Sequence, residues 1–355
     1  MAQRRHTLGC ELQTKTLVYL DTRYWIFLRD AAQGVSKNPL HRTLLEVLRE
    51  GVHAGDLACP ISQTTFLELL HIGDVDRRLA TAEMIQELSL GVTLGEEREL
   101  VSNEIILALN QKSGDRIALR SAAWQKLSYV FGFPIPSDER FSKAEQLVIA
   151  KAFFDHLWDM PLTNMLRQLG QRGELPDFPY ESIAQHVHSG NLEHAESVGS
   201  FKATYLDEII GTLDLFKHVV ANFIRRKAID EGIRAPSAQE CVESERNAFQ
   251  LLAAMARQGK GAQAFPTLHV GAKLHAAIRR DKLRPFRRND LPDFHHAAAA
   301  LVYCDAFLTE RSLRALIRSG GVKLDTEFSC TVVADEAEAA AWIRQKVRRP
   351  SLGIR

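Results

Sequence analysis

Residues 289–313, NDLPDFHHAAAALVYCDAFLTERSL, decide the predicted fold of this chain. The acidic start and the run of alanines and other apolar residues after it predict a buried helix, and small alanine side chains let such a helix approach a sheet closely. Residues 306–309 then predict a short strand that ends immediately before Glu310. A helix followed by a short apolar strand is typical of α/β proteins.

The first 75 residues contain another part of the same pattern. Residues 17–20 (LVYL) predict a buried strand that ends at Asp21, and residues 41–50 predict a helix. Residues 57–60 predict a second strand, which a helix over residues 62–70 follows. Alternating strands and helices predict a parallel sheet. With a final strand at residues 330–333, the sheet is expected to be built from both ends of the chain.

Residues 76–284 have a different character. Stretches such as RLATAEMIQELSL and LDEIIGTLDLFKHVVANFIRRKAI place apolar residues at helical spacing, and hardly any alternating segment interrupts them. We therefore predict an all-helical insertion between two parts of one α/β core, residues 1–75 and 285–355.

Composition limits the function classes. Lys plus Arg number 45 and Asp plus Glu number 44, so net charge alone indicates no partner of either sign. The five cysteines form no CxxC pair, which favours reduced thiols in a cytoplasmic protein. The chain contains no run of about 18 apolar residues, so a membrane span is not expected. It also contains no glycine-rich phosphate loop.

Acidic residues stand near the ends of the predicted strands. The main candidates for a site are Asp21 and Glu310 directly after strands, Glu68 in the helix after the second strand, and Asp293 at the start of the alanine-rich helix. Asp290 and Asp305 flank that helix as auxiliary metal-binding candidates. Ligands of open α/β sheets bind at the carboxyl ends of strands, so these acids are expected to converge. Mg²⁺ or Mn²⁺ would offset their mutual repulsion. Taken singly, each acid is also typical of a helix cap, a turn or a solvated helix face.

Three segments together resemble the PIN-like nuclease superfamily: LVYLDTRYWI, ISQTTFLELL and, most specifically, NDLPDFHHAAAALVYCDAFLTERSL. The resemblance covers the two ends of the chain and leaves out residues 76–284. It implies a Rossmann-like PIN core, an α/β/α sandwich around a parallel sheet, and Mg²⁺- or Mn²⁺-dependent cleavage of RNA, less often DNA. By position, the four family acids correspond to Asp21, Glu68, Asp293 and Glu310. The fourth family position is usually Asp, and Glu310 departs from that pattern.

Basic and aromatic residues flank the predicted site. Residues 279–288 (RRDKLRPFRR) precede the third acid, and Arg284, Arg287 and Arg288 are candidates to bind nucleic acid. A solvated linker is an equally good interpretation of this segment. Tyr24 and Trp25 stand where an aromatic ring can stack on a base, although core packing is the favoured prediction. For His295 and His296 the prediction is packing and hydrogen bonding.

We therefore predict a divalent-metal-dependent endonuclease that hydrolyses phosphodiester bonds, with RNA favoured over DNA and a toxin or defence role in view. The alternative is a catalytically inactive PIN-like module that binds nucleic acid or protein. The insertion is expected to select substrate or to bind a regulatory protein or a second copy of the chain.

Overall fold

A computed structural model describes residues 2–110, 115–131, 140–170, 179–195, 199–234, 237–281 and 284–347. Its strands are β1 (Thr16–Leu20), β2 (Leu57–Ala58), β3 (Val92–Leu94), β4 (Trp124–Lys126), β5 (Ala306–Leu308) and β6 (Thr331–Val333). The protein is mostly helical around a small parallel sheet, so the predicted mixed α/β class agrees with the structure at this level.

Helices make up most of the described chain. In the first third they are α1 (Ala2–Gln13), α2 (Thr22–Ala32), α3 (Pro39–His53), α4 (Gln63–Leu70), α5 (Val75–Ser89), α6 (Glu97–Leu109) and α7 (Arg116–Ala123). In the middle they are α8 (Leu127–Phe131), α9 (Lys143–Asp159), α10 (Leu162–Gly170), α11 (Tyr180–Glu193), α12 (Phe201–Asp214), α13 (Lys217–Asp230) and α14 (Ala238–Arg257). Towards the end they are α15 (Gly261–Ala264), α16 (Pro266–Arg280), α17 (Asp290–Tyr303), α18 (Arg311–Arg318), α19 (Leu324–Glu327) and α20 (Glu336–Lys346).

The main sheet has the strand order β2-β1-β5-β6, and every pair in it is parallel. Leu20 at the end of β1 lies opposite Leu308 at the end of β5, so these two strands finish at the same edge. The prediction that both ends of the chain build one sheet is confirmed: β1 and β2 come from the start of the chain, and β5 and β6 come from its end.

The prediction of an all-helical segment over residues 76–284 is wrong at β3 and β4. These strands form an antiparallel pair, and Thr93 of β3 also bridges to Ile61, just beyond β2. Each strand is only three residues long, and every residue of β3 is buried. A strand so short, buried on both faces, leaves no alternating pattern by which it can be recognised.

Side chains of the central strands alternate between two apolar cores, as the two-residue period of a strand requires. Leu17, Tyr19 and Phe307 belong to one core, which also contains residues of α1, α16 and α17. Val18 and Leu308 belong to the other, with residues of α2, α3, α5 and α20. The sheet is thus covered by helices on both faces, and residues 76–284 contribute to both cores.

Helix α17 lies directly against the sheet because four consecutive alanines, Ala297 to Ala300, are buried along it. Tyr24 and Trp25 are also buried, 1% and 0% exposed, so the favoured prediction of core packing is confirmed for both. None of the five cysteines, all of which lie within the described ranges, forms a disulfide. Within the described ranges, no helix combines the length and the apolar character that crossing a bilayer requires.

Candidate active site

The carboxyl ends of β1 and β5 form the point at which the strand order reverses. From β1 the chain continues to β2 on one side, whereas β6 follows β5 on the other side. In open α/β sheets, the helices after two such strands diverge to opposite faces and leave a crevice between them, where ligands bind. The predicted acids Asp21 and Glu310 follow these two strands.

Asp21 is held from both strands. Its backbone N–H donates to the Leu308 carbonyl at 3.0 Å, and the Thr309 hydroxyl donates to its Oδ2 at 3.0 Å. Its other oxygen accepts a long hydrogen bond of 3.5 Å from the Arg23 N–H, which makes Asp21 the N-cap of α2. Asp21 as a whole is only 7% exposed. Its orientation is therefore set by the sheet itself.

Asp293 lies in the first turn of α17, half-buried, and its carboxylate accepts no hydrogen bond from another residue in the described part of the chain. Burial and then the negative charge of Asp21 raise the pKa of Asp293 to about 7; Glu310 and Glu68 add to the rise, and His296 opposes it. Asp293 therefore lies within electrostatic reach of the other three predicted acids.

Glu68 is paired with a buried histidine. His296 Nε2 lies 2.9 Å from Glu68 Oε2, and the Thr22 hydroxyl donates to the same oxygen. Burial alone would raise the pKa of Glu68, but the charge and hydrogen bond of His296 and the Thr22 hydroxyl outweigh it and lower the pKa. Burial lowers the pKa of His296, whereas its contacts with Tyr19, Glu68 and Asp21 raise it well above the usual range. The pair with Glu68 therefore places a histidine with a raised pKa inside the acidic cluster.

A buried chain of hydroxyl groups fixes the orientation of the His296 ring. The other ring nitrogen of His296, Nδ1, lies 2.8 Å from the Tyr19 hydroxyl. The Tyr19 hydroxyl in turn lies 2.6 Å from the Ser62 hydroxyl and 3.1 Å from the Thr65 hydroxyl. The prediction that His296 packs and forms hydrogen bonds covers part of this arrangement, but sequence reasoning missed its ion pair with Glu68.

Glu310 is the most exposed of the four acids. Its carboxylate lies 4.0 Å from Arg23 Nη1, and its side chain is 50% exposed. It borders a crevice of about 430 Å³ that Glu336, in the first turn of α20, also lines. Sequence reasoning missed Glu336; its position three residues after β6 was the signal that pointed to it.

The two auxiliary candidates have other roles. Asp290 accepts from Arg284 Nη2 and from the Arg287 backbone N–H, both at 2.6 Å, and so closes the loop before α17. Asp305 precedes β5 and therefore lies at the amino edge of the sheet, opposite the cluster. There it accepts from the Leu17 N–H at 2.8 Å and pairs with Arg120 at 3.1 Å. The expectation that Asp305 joins the other acids is wrong because it stands at the beginning of its strand.

The three candidate arginines differ in exposure and in whether they are paired. Arg284 is half-buried in its ion pair with Asp290, whereas Arg287 and Arg288 are exposed, within two turns of Asp293. Elsewhere in the basic segment, Arg279 pairs with Asp207 at 2.5 Å and Glu208 at 2.8 Å, and Lys282 lies outside the described residues. Two exposed positive charges thus precede the helix that carries Asp293.

The residues at this edge fit a divalent cation by their chemistry. Carboxylate oxygens are the ligands that Mg²⁺ and Mn²⁺ prefer, and the negative charges of Asp21, Glu310 and Glu68 add to the effect of burial in raising the pKa of Asp293. Across the described ranges, no group of three or more His, Cys, Asp or Glu side chains is arranged to hold a metal ion. The donors are gathered in one region but do not form a closed ligand cage.

Comparison with known proteins assigns no family. No family model, no curated protein and no solved structure matches this chain. Its function therefore has to be inferred from the side chains at the carboxyl edge of the sheet.

Proposed function

We propose that the chain is a divalent-metal-dependent endonuclease with a Rossmann-like PIN core, and that it hydrolyses RNA in preference to DNA. One observation carries the proposal: four acids from three distant segments, Asp21, Glu68, Asp293 and Glu310, gather where the strand order reverses. A buried carboxyl with a pKa raised by neighbouring acids is typical of functional sites.

Asp21, Asp293 and Glu310 would hold Mg²⁺ or Mn²⁺. Such a cation supplies Lewis-acid chemistry, the activation of water and the stabilisation of the leaving oxygen in phosphodiester hydrolysis. Thr309 orients Asp21 through the 3.0 Å hydrogen bond from its hydroxyl. His296 orients Glu68 and offsets its charge, which leaves the remaining carboxylates as the excess negative charge at the edge.

The charge around the cluster suits a polyanionic substrate. Arg287 and Arg288 are exposed before α17, and Arg23 and Arg311 line the crevice beside Glu310. Arginine side chains contact phosphates and release counterions, so they would draw a nucleic-acid strand to an edge that is otherwise acidic. The preference for RNA follows from the resemblance of the three acidic segments to PIN-like nucleases.

A second candidate function is a PIN-like module that binds nucleic acid or protein without cutting it. It is favoured by the engagement of Glu68 with His296 and Thr22 and by the absence of a closed ligand group within the described ranges. Glu310 stands where PIN-like nucleases usually have Asp, and this difference also favours a module that does not cut.

Cleavage of labelled single-stranded RNA and DNA by the purified chain, with Mn²⁺, Mg²⁺ or EDTA, tests both candidates. We expect metal-dependent cutting that Asp293→Asn lowers at least 100-fold, because the cation would lose one of its three proposed carboxylate ligands. Glu338→Gln is the matched control, since Glu338 pairs with Arg314 of α18 at the surface and is not among the residues that line the crevice or the four acids. It should cut at the wild-type rate.

The outcomes separate the two functions. Equal cutting by wild type and Asp293→Asn would exclude this site. If wild type binds RNA but cuts neither substrate with either metal, the non-cutting module replaces the nuclease. As a toxin or defence effector, the wild type would also arrest the growth of a host that produces it, and Asp293→Asn would not.

A further inference from the structure

A cavity of about 110 Å³ lies beside the acidic cluster, between α4, α6, α11 and α17. Helix α17 carries Asp293 and His296 toward the sheet edge, and the adjacent His295 lines the cavity. The cavity is smaller than the pockets of roughly 300–1,000 Å³ that take drug-sized ligands. Its size suits one planar ring system.

Two contacts connect the cavity to the cluster. Ser62 lines the cavity, and its hydroxyl lies 2.6 Å from the Tyr19 hydroxyl, which in turn contacts His296. Tyr180 lines the cavity from α11; burial, then the charges of Glu68 and Glu97, raise its pKa to about 12. A group in the cavity would therefore be a neighbour of the carboxylate that His296 orients.

The lining is aromatic and apolar inside and polar at its rim. Tyr180 and Tyr303 are 5% and 1% exposed, and the Tyr303 hydroxyl is already donated to Glu104 at 2.6 Å, so Tyr303 presents its ring. At the rim, Glu97 and His295 are half-buried with 3.5 Å between Glu97 Oε2 and His295 Nε2, and Gln63 is exposed. Unstacked bases of single-stranded RNA are held in this way, by aromatic side chains and by polar groups at the base edge.

We propose that this cavity is a nucleobase subsite that takes an unstacked guanine from a single-stranded substrate. The inference rests on the proposed nuclease function and names the substrate class of the same site. Glu97 selects the base: guanine presents two adjacent N–H donors, N1–H and N2–H, on one edge, and both can donate to one carboxylate. Adenine, cytosine and uracil each lack that pair. A duplex would have to release the base before it could enter.

Equilibrium binding in EDTA tests the subsite separately from cutting. The probes are fluorescein-labelled heptauridylates with a single guanosine, adenosine or cytidine at the centre, and all-uridine RNA is the reference. We expect the guanosine probe to bind about tenfold tighter, the usual gain from one bidentate base contact. Competition with guanosine monophosphate distinguishes a base in a strand from a free nucleotide, which is expected to compete only weakly.

Two variants test the residues. Glu97→Gln keeps the shape but accepts only one N–H donor, and Ala299→Leu fills the cavity from α17. Each should remove the guanosine preference and keep the affinity for all-uridine RNA and the thermal stability of wild type. Should Ala299→Leu fail to fold, Glu97→Gln carries the test. Glu338→Gln is again the control and should keep the preference.

Loss of the preference in Glu97→Gln supports the subsite. Equal binding of all probes by wild type, a preference for another base, or a guanosine preference that survives Glu97→Gln would overturn it. Parallel cleavage assays with Mn²⁺ keep the two proposals apart. Cutting without base preference retains the nuclease and removes the guanine subsite, whereas Glu97-dependent guanosine binding without cutting retains the subsite and removes the nuclease.

Discussion

Glu104 is a buried carboxyl group behind the cavity, and Glu104→Gln replaces it with a neutral amide. Glu104 is 2% exposed and accepts hydrogen bonds from the Thr267 hydroxyl at 2.5 Å, the Thr267 N–H at 3.1 Å and the Tyr303 hydroxyl at 2.6 Å. Burial raises the pKa of Glu104 to about 7 although these three donors oppose the rise. The folded protein therefore keeps this group protonated up to nearly neutral pH and ionises it only above that.

The magnitude follows from the two pKa values. Between the ordinary value of 4.5 and about 7, the folded protein holds a proton that the unfolded chain has released. A carboxyl whose pKa is raised on folding stabilises the fold at low pH, and this contribution is lost as the pH rises through the folded value. Between pH 5 and pH 8 the loss is about 2–3 kcal/mol of the free energy of unfolding.

Urea unfolding followed by circular dichroism at pH 5, 6, 7 and 8 measures this loss. Relative to Glu104→Gln, which is neutral throughout, wild type should lose about 2–3 kcal/mol across the range. Subtracting the pH profile of Glu104→Gln from that of wild type cancels the constant cost of the substitution and the contribution of all other titrating groups. Glu338→Gln should follow the wild-type profile. Parallel profiles for wild type and Glu104→Gln would show that Glu104 ionises normally in the folded protein and would refute the reasoning.

Three further substitutions give distinct outcomes. Asp305→Asn should lower the free energy of unfolding, measured in urea, by about 1–3 kcal/mol, because the Leu17 N–H and Arg120 lose a charged acceptor. Metal-dependent cleavage should remain, and loss of cutting in a folded variant would contradict the position of Asp305 at the amino edge of the sheet. Arg287→Ala and Arg288→Ala should each reduce the slope of log Kd against log salt by about 1, measured by fluorescence anisotropy across a KCl series; an unchanged slope would remove that arginine from the phosphate contacts. Thr309→Val removes the donor to Asp21 and should lower kcat about 10- to 100-fold with KM unchanged in steady-state assays; a wild-type kcat would show that Asp21 needs no such orientation.

Local patterns predicted the parts of the fold that depend on neighbouring residues. Residues 17–20 and 306–309 read as apolar runs that end at an acid, and the structure has β1 and β5 there. The acid positions followed from a general property of parallel sheets: strands that run in one direction finish at one edge. That rule is also why Asp305, at the beginning of β5, did not join the other acids.

Such local patterns could not predict contacts between distant segments. The ion pair of Glu68 with His296 joins residues 228 positions apart, and the pair of Arg120 with Asp305 joins residues 185 apart. Neither partner carries a local signal of the other. Strands β3 and β4 were missed for a related reason: three residues are too few to show a period, and β3 pairs with β4 and bridges to Ile61, both of which lie far from it in the sequence.

The sequence by itself determined which residue types stand at the ends of the strands, because strand and helix formation depend mainly on the apolar pattern of adjacent residues. The tertiary structure alone decided the strand order, the pairing of Arg284 with Asp290, and the charge states in the cluster. The pKa of Asp293 rises to about 7 because burial removes its water and because Asp21, Glu310 and Glu68 approach it from separate segments. Desolvation and through-space repulsion depend on three-dimensional distance, which no spacing along the chain specifies.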